Sequence, residues 1–248
     1  MALNAFFTYL GGKTHASRYY PPPAHPTIVE PFAGAAGYSV RYHRRRVILV
    51  EKNPEIAGIW RYLIGVSARE LLGIPDVPPE GVSSMRLCPE ARSLVGFNCG
   101  SVSGDRGAER ITSWGKKEPT CSWGPILRAR LASQVERIRH WRIIEGDYSL
   151  APDVEATWFV DPPYQVEGES YACPSSAIDF RALGKWCRAR RGQIMVCENE
   201  GATWLPFEPF RFLPTTAWKR QNGGSVEVLW HKQHNARRAH ASSTRSRN

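Results

Sequence analysis

The chain lacks the features that identify several common classes of protein. It has no run of about 18 apolar residues, so no membrane-spanning helix is predicted. Its six cysteines include no CxxC pair, and no histidine follows them at a zinc-ligand spacing, so no metal site is predicted. The segment MALNAFFTYLGGK has no basic region followed by a long apolar stretch. A secretory signal is therefore not predicted, and a reducing cytoplasm with free thiols is the expected setting.

Positive charge is what the chain has in excess. Its 248 residues include 33 Lys+Arg and 23 Asp+Glu, a net charge of +10, while 42% hydrophobic residues fit a folded protein. Such a balance indicates a polyanionic partner, with nucleic acid favoured over an anionic membrane surface. Half of this excess lies in the segment 232–248, which has five basic residues and no acid. Residues 233–248 are therefore predicted to form a disordered tail.

The strand pattern predicts an α/β fold. Five segments rich in Val and Ile are separated mostly by longer stretches, which is typical of parallel strands joined by crossovers. Two later segments are joined by KRQNGGS, in which Asn222-Gly223-Gly224 is a hairpin signal. We therefore expect a mostly parallel sheet that ends in an antiparallel hairpin. The predicted strands are TIVEPF (27–32), VILVEK (47–52), WRIIEGD (141–147), TWFVDP (157–162), GQIMVCEN (192–199), FRFLPTTAW (210–218) and VEVLWHK (226–232).

One segment interrupts this alternation. Residues 66–126 are rich in Gly, Ser and Pro and have weak strand signals, so they are predicted to form an irregular lobe inserted between the second and third strands. A helix is predicted directly after it, over 127–140, from apolar residues at spacings of four, four and three. The predicted core therefore comprises residues 1–65 and 127–232.

The most specific local motif is Asp161-Pro162-Pro163-Tyr164, directly after an apolar strand. A carboxylate at the C-terminal end of a strand lies on the edge where open α/β sheets bind ligands. The two prolines fix the backbone and lack N–H donors, while their carbonyl groups still accept hydrogen bonds. With the Tyr164 ring, the motif supplies acceptors and a flat surface suited to a planar amine.

Other segments have weaker ligand-binding signals. VEPFAGAAGYS (29–39) leads from a strand through small residues into a helix, where a ligand can approach the backbone. The loop is not GxGxxG, so a dinucleotide site is not indicated. Glu51 ends the next strand, where an acid can bind ribose hydroxyls. Asp147, in EGDYS, can accept a hydrogen bond from a nucleobase amine, and FFTYLGGK (6–13) combines aromatic residues, paired glycines and a lysine.

Taken in chain order, from FFTYLGGK (6–13) through the loop after the first strand, Glu51 and Gly146-Asp147-Tyr148 to Asp161-Pro162-Pro163-Tyr164, the motifs resemble those of the Dam-like class of DNA adenine-N6 methyltransferases. The resemblance covers roughly residues 6–60 and 141–232, and GGSVEVLWHK is similar to the closing hairpin of that family. It implies a Rossmann-like methyltransferase sheet, S-adenosylmethionine as cofactor and double-stranded DNA as partner. The implied catalytic residues are Asp161, Pro162, Pro163 and Tyr164. The implied cofactor residues are Tyr9, Gly12, Lys13, Glu30, Pro31, Phe32, Gly34, Glu51, Asp147 and Asp161.

The resemblance also implies how the partner is used. A flipped adenine would stack on Tyr164, with its amine hydrogens accepted by Asp161 and the Pro162 carbonyl. The insertion at 66–126 resembles no known recognition region, but its position predicts that it recognises the target. The protein is expected to act as a monomer on DNA, associated with the nucleoid in the cytoplasm of a bacterium or a virus-infected cell. The loop departs from the family pattern because Ala36 replaces a glycine, with Gly37 following it. The predicted DNA-contacting residues are Arg106, Arg110, Lys116 and Lys117.

Other functions remain open at the level of sequence. An N4-cytosine or RNA amine methyltransferase could use the same acceptors, since these suit any planar exocyclic amine. A catalytically inactive DNA-binding relative is a second alternative. A C5-cytosine methyltransferase is disfavoured, because the chain contains no Pro-Cys pair to supply the nucleophile.

Overall fold

The computed structural model describes residues 2–100, 107–166, 168–213 and 225–233. Arg106, the predicted turn at 222–224 and the predicted tail from residue 234 onward lie outside the described residues.

A seven-stranded sheet forms the centre of the fold, with strand order β3-β2-β1-β4-β5-β7-β6. The first five strands run parallel, and β7 runs antiparallel to both β5 and β6. The expected α/β sheet, mostly parallel with an antiparallel C-terminal pair, is therefore confirmed. The strands are β1 (Thr27–Glu30), β2 (Arg46–Glu51), β3 (Arg142–Glu145), β4 (Glu155–Val160), β5 (Arg191–Asn199), β6 (Glu208–Leu213) and β7 (Ser225–Gln233).

The strand order reverses at β1, which pairs with β2 on one side and with β4 on the other. At such a point the connections leave neighbouring strands in opposite directions, which opens a crevice at the carboxyl ends of the strands. Residues 31–36 follow β1, and Asp161 follows β4 at this edge. The topology therefore brings together the two segments that the sequence singled out as ligand-binding.

Both faces of the sheet are buried. Alternate residues of each parallel strand belong to two separate apolar clusters, as for Leu49 on one face and Val50 on the other. This is the arrangement expected for parallel strands with helices on both sides. The helices are α1 (Gly37–Arg41), α2 (Pro54–Gly65), α3 (Ala68–Gly73), α4 (Pro89–Gly96), α5 (Ser113–Lys117), α6 (Pro125–Val135) and α7 (Phe180–Ala189).

The segment 66–126 is more ordered than an irregular lobe, because it contains α3, α4 and α5. Ser67 and Glu70 form a capping box at the start of α3, and Pro89 is the first residue of α4. Ser and Pro are therefore helix-start signals here, although in a composition count they indicate loops. The segment also shares the main core, in which Leu94 and Phe97 are fully buried.

Gly37, the first residue of α1, permits a close backbone contact. A Cβ atom at this position would lie 2.5 Å from the backbone nitrogen of Thr14 and 2.6 Å from the carbonyl carbon of Lys13. We expect Gly37→Ala to displace this N-terminal segment and to lower the free energy of unfolding by about 2 kcal/mol. Urea denaturation measures the change.

The matched control for Gly37→Ala is Gly65→Ala, at the end of α2, where nothing lies within 4 Å of an added Cβ. This variant should be as stable as the wild type or up to about 1 kcal/mol more stable. Equal stability of the Gly37→Ala variant and the control would contradict the importance of the contact.

Candidate active site

A cavity of about 240 Å³ lies at the carboxyl ends of β1, β2 and β4. All four predicted catalytic residues line it, as does every predicted cofactor residue except Pro31. Pro31 is buried at the end of β1. Lining residues that the sequence did not single out include Lys52, Asn53, Phe159, Tyr171, Cys173, Ile178 and Asp179.

The lining of the cavity is acidic although the chain is basic. Five acidic residues line it, but only two lysines, Lys13 and Lys52, and no arginine. Lys52 Nζ lies 3.9 Å from the Asp147 carboxylate, and Lys13 is itself paired with acids. An excess of carboxylates favours a ligand with positive charge over one with phosphate groups. The five acids are Glu30, Glu51, Asp147, Asp161 and Asp179.

The loop after β1 is held from both sides at Gly34. Its N–H donates to Glu51 Oε2 at 2.9 Å, and its carbonyl oxygen accepts from Trp60 Nε1 at 2.7 Å. Gly34 has a φ of +44°, and a Cβ atom there would lie 3.0 Å from the Tyr9 ring. Only glycine leaves this space free, so the loop backbone forms an open wall of the cavity.

Ala36 adopts a left-handed conformation with a φ of +48°, which is a glycine-like geometry. It occupies the position at which the sequence departs from the family pattern. Alanine therefore adopts a left-handed backbone here, at an expected cost of roughly 1 kcal/mol.

Glu51 joins the loops that follow β1 and β2. Its carboxylate accepts hydrogen bonds from the backbone N–H groups of Gly34 and Asn53, each at 2.9 Å. Asn53 in turn caps α2 by accepting from Glu55 N. The predicted acid therefore lies at the cavity, where it also orders the loops. Its binding of ribose hydroxyls stays a prediction.

Glu30 is a buried carboxyl group in the wall of the cavity. Burial raises its pKa from 4.5 to about 8, although its hydrogen bonds with Ser39 partly oppose the shift. The N–H of Ser39 donates to Glu30 Oε1 at 2.6 Å. Glu30 is therefore mostly protonated at neutral pH, which makes it a neutral part of the wall.

This shift makes the stability of the protein depend on pH. Because the pKa of Glu30 is raised on folding, its contribution is fully present below about pH 4.5 and is lost as pH rises to about 8. We expect Glu30→Gln to match the wild type at pH 4.5. At pH 8.5 it should be more stable by roughly 4 kcal/mol. Chemical denaturation at both pH values measures the free energy of unfolding. If the variant and the wild type showed the same pH dependence of stability, the role of Glu30 would be contradicted.

An aromatic wall lies beside Asp147. The ring of Phe32 stacks on that of Tyr148, with 5.5 Å between centroids and 27° between planes. Asp147 caps the short 3-10 turn Tyr148–Leu150 by accepting from Ser149 N at 3.0 Å. A flat apolar surface next to a carboxylate suits a heterocyclic ring that bears an amine.

The motif after β4 contacts Lys13, whose predicted role in cofactor binding stays a prediction. Lys13 Nζ lies 3.0 Å from Asp161 Oδ1 and donates to the Tyr164 hydroxyl at 2.6 Å. Burial alone would lower the pKa of Lys13, but Asp161 and Glu227 more than offset this and raise it. Lys13 is therefore a buried cation beside Asp161 and Tyr164.

The chain after Tyr164 folds over the N-terminal segment. Gln165 N donates to Glu198 Oε1 at 3.0 Å, which fixes the backbone beside Tyr164. The Tyr171 hydroxyl donates to the Leu10 carbonyl at 3.4 Å, and its ring lies 6.2 Å from that of Tyr9. Sequence reasoning did not predict roles for Glu198 or Tyr171. For Glu198 the available signal was an acid at the end of an apolar strand.

The predicted DNA-contacting residues lie elsewhere. Arg110, Lys116 and Lys117 are exposed on or near α5 and do not line the cavity. Trp114, on the same helix, is 51% exposed. In the described part of the chain, no cluster of three or more His, Cys, Asp or Glu residues could hold a metal ion.

Comparison with known proteins does not identify a family. A scan against models of protein families found no match, and a search of curated protein sequences found no significant match. Among the helices of the described ranges, none combines the length and apolar character needed to cross a bilayer.

Proposed function

We propose that this protein is an S-adenosylmethionine-dependent methyltransferase that modifies the N6 amine of adenine in double-stranded DNA. The observation that supports it most is the position of Asp161-Pro162-Pro163-Tyr164 at the sheet reversal. There the motif shares one acidic cavity with Glu51. The motif suits a planar amine, and the remaining lining suits a cationic nucleoside.

The residues of the cavity fit S-adenosylmethionine. Glu51 would accept hydrogen bonds from ribose hydroxyls, and the Phe32–Tyr148 wall would pack against the adenine. Gly34 leaves room for close approach of the cofactor to the backbone. The carboxylates would balance its positive charge. When bound, the cofactor supplies a methyl group on an electrophilic sulfonium.

The acceptor amine would be oriented by the motif after β4. Asp161 and the Pro162 carbonyl would each accept a hydrogen bond from the amine N–H groups. These two hydrogen bonds would direct the nitrogen lone pair toward the methyl donor. Lys13 fixes the Tyr164 hydroxyl, so the ring is held for stacking on the base. Positioning of this kind lowers the barrier without a covalent enzyme intermediate.

Access to the amine requires the base to leave the duplex, at a cost of a few kcal/mol. Arg110, Lys116 and Lys117 are exposed and would contact phosphates. Binding by such contacts weakens steeply as salt is raised. The acidic cavity and the basic exterior would thus serve different ligands.

The test is mass spectrometry of nucleosides from DNA and RNA incubated with the protein and S-adenosylmethionine. N6-methyladenine in duplex DNA is the expected product. Detection of N4-methylcytosine instead would show that cytosine is the substrate. A methylated base in RNA alone would show that the substrate is RNA. Calorimetry with S-adenosylmethionine separates the remaining cases, because binding without product indicates an inactive relative. Absence of both binding and product would refute the proposal.

A further inference from the structure

Glu227 is a buried carboxylate in the otherwise apolar segment VEVLW of β7. It is 1% exposed, and its Oε1 atom accepts a hydrogen bond from the Tyr20 hydroxyl. The same atom lies 4.0 Å from Lys13 Nζ. Among the described residues, its Oε2 atom has no hydrogen-bond partner. A carboxylate is costly to bury in this way, so its retention in the core needs an explanation.

The explanation lies in the position of the Lys13 ammonium. It is held between two acids, Asp161 after β4 and Glu227 on β7, and the Lys13 side chain is only 9% exposed. One cation between two carboxylates makes a compact buried cluster with one net negative charge. Removing Lys13 from such a cluster would leave two carboxylates uncompensated, whereas removing either acid would leave a single ion pair. The position of the Lys13 ammonium is therefore set by both acids.

We infer that Glu227 is a positioning residue. Its electrostatic attraction for the Lys13 ammonium opposes that of Asp161, which keeps the Asp161 carboxylate available to the acceptor amine. Its effect on catalysis rests on the proposed function, but its effect on Lys13 does not. Without Glu227, the ammonium would be attracted by Asp161 alone. Asp161 would then be more tightly paired with Lys13 and less able to accept from the substrate.

The surroundings of Glu227 combine charged groups with titratable groups that are neutral at physiological pH. Burial raises the pKa of Glu227, and the charge of Lys13 opposes this shift. Burial also raises the pKa of Tyr20 and of Cys197, so both stay protonated. The titratable and charged groups that face Glu227 are Lys13, Tyr20, Asp161, Tyr164, Cys197 and, opposite it on β6, Arg211.

The first measurement needs no methyl transfer. Lysine side chains are labelled with ¹³C at Cε, Lys13 is assigned with a Lys13→Arg variant, and its titration is followed by NMR. Glu227→Gln removes one of the two acids that keep Lys13 protonated, so Lys13 should lose its proton at lower pH than in the wild type. Glu208→Gln, an exposed acid on the adjacent strand β6, is the control and should leave the titration unchanged.

The second measurement is the pH profile of the single-turnover rate of methyl transfer. Glu227→Gln should lower the rate about tenfold or more and move its decline at alkaline pH to lower pH. A residue with only a structural role would lower the rate without moving the profile. If the Gln variant does not fold, Glu227→Asp replaces it, and a smaller shift of the Lys13 titration in the same direction is expected.

The outcomes separate the two proposals. An unchanged Lys13 titration in the folded variant would overturn the role of Glu227, whatever the activity. A shifted titration in a protein that transfers no methyl group would refute the proposed function and leave the contact with Lys13 established. A shifted titration with an unmoved rate profile would overturn the catalytic consequence of the contact.

Discussion

Asp161→Ala is expected to reduce methyl transfer about 10³-fold or more while the protein remains folded. Asp161 is the charged acceptor of the motif, and its side chain is 18% exposed at the cavity. Its loss removes the group that would orient the amine and accept a hydrogen bond from it. The expected loss of rate is similar in size to that seen when catalytic acid–base groups are removed. Single-turnover assays with saturating cofactor and DNA measure the change.

The matched control is Asp153→Ala. Asp153 lies just before the first residue of β4, at the other end of the strand from Asp161. It is exposed there and pairs with Arg190 and Arg191. Exposed ion pairs contribute little, so this variant should keep near-normal activity. Near-normal activity of the Asp161→Ala variant would show that the catalytic role is wrong. Thermal unfolding of both variants checks that any loss is not caused by misfolding.

Glu51→Gln is expected to weaken S-adenosylmethionine binding by about 10-fold to 100-fold, with a smaller effect on the maximal rate. A hydrogen bond to a charged acceptor is worth roughly 1.5–3 kcal/mol, and glutamine keeps the shape without the charge. The remaining amide oxygen can still accept from Gly34 N, so the loop should stay in place. Isothermal titration calorimetry measures the affinity.

Glu145→Gln provides the comparison for Glu51→Gln. Glu145 lies opposite Glu51 in the β2–β3 register, but it pairs with Arg61 and is not a lining residue. Cofactor affinity should be unchanged in this variant. Equal affinities of the Glu51→Gln variant and the wild type would refute a role for Glu51 in binding the ribose.

The sheet could be predicted from sequence because its signals are local. Runs such as VILVEK are apolar enough to be strands on their own, and their spacing indicates crossovers. The motif Asp161-Pro162-Pro163-Tyr164 could be recognised for the same reason, since Asp161 directly follows such a run. The helices of 66–126 were missed because their capping residues resemble those of loops.

Contacts between distant segments could not be predicted in this way. Lys13 and Tyr164 are 151 positions apart, and only the strand order brings them to a hydrogen bond. The motifs predict that Lys13 binds the cofactor, and this stays a prediction; its contacts with Asp161 and Tyr164 are visible only in the structure. Glu227 was visible as an acid in an apolar strand, but its neighbour Lys13 depends on the packing of β7 beside β5.

The position of β7 has a consequence for the order in which the chain can assemble during synthesis. β7 lies between β5 and β6, so β6 joins the sheet only through a strand that the ribosome makes after it. A nascent chain that ends before Ser225 therefore has β5 as an open edge and β6 unattached. The same chain lacks Glu227, so the charge cluster around Lys13 is completed only when β7 is in place.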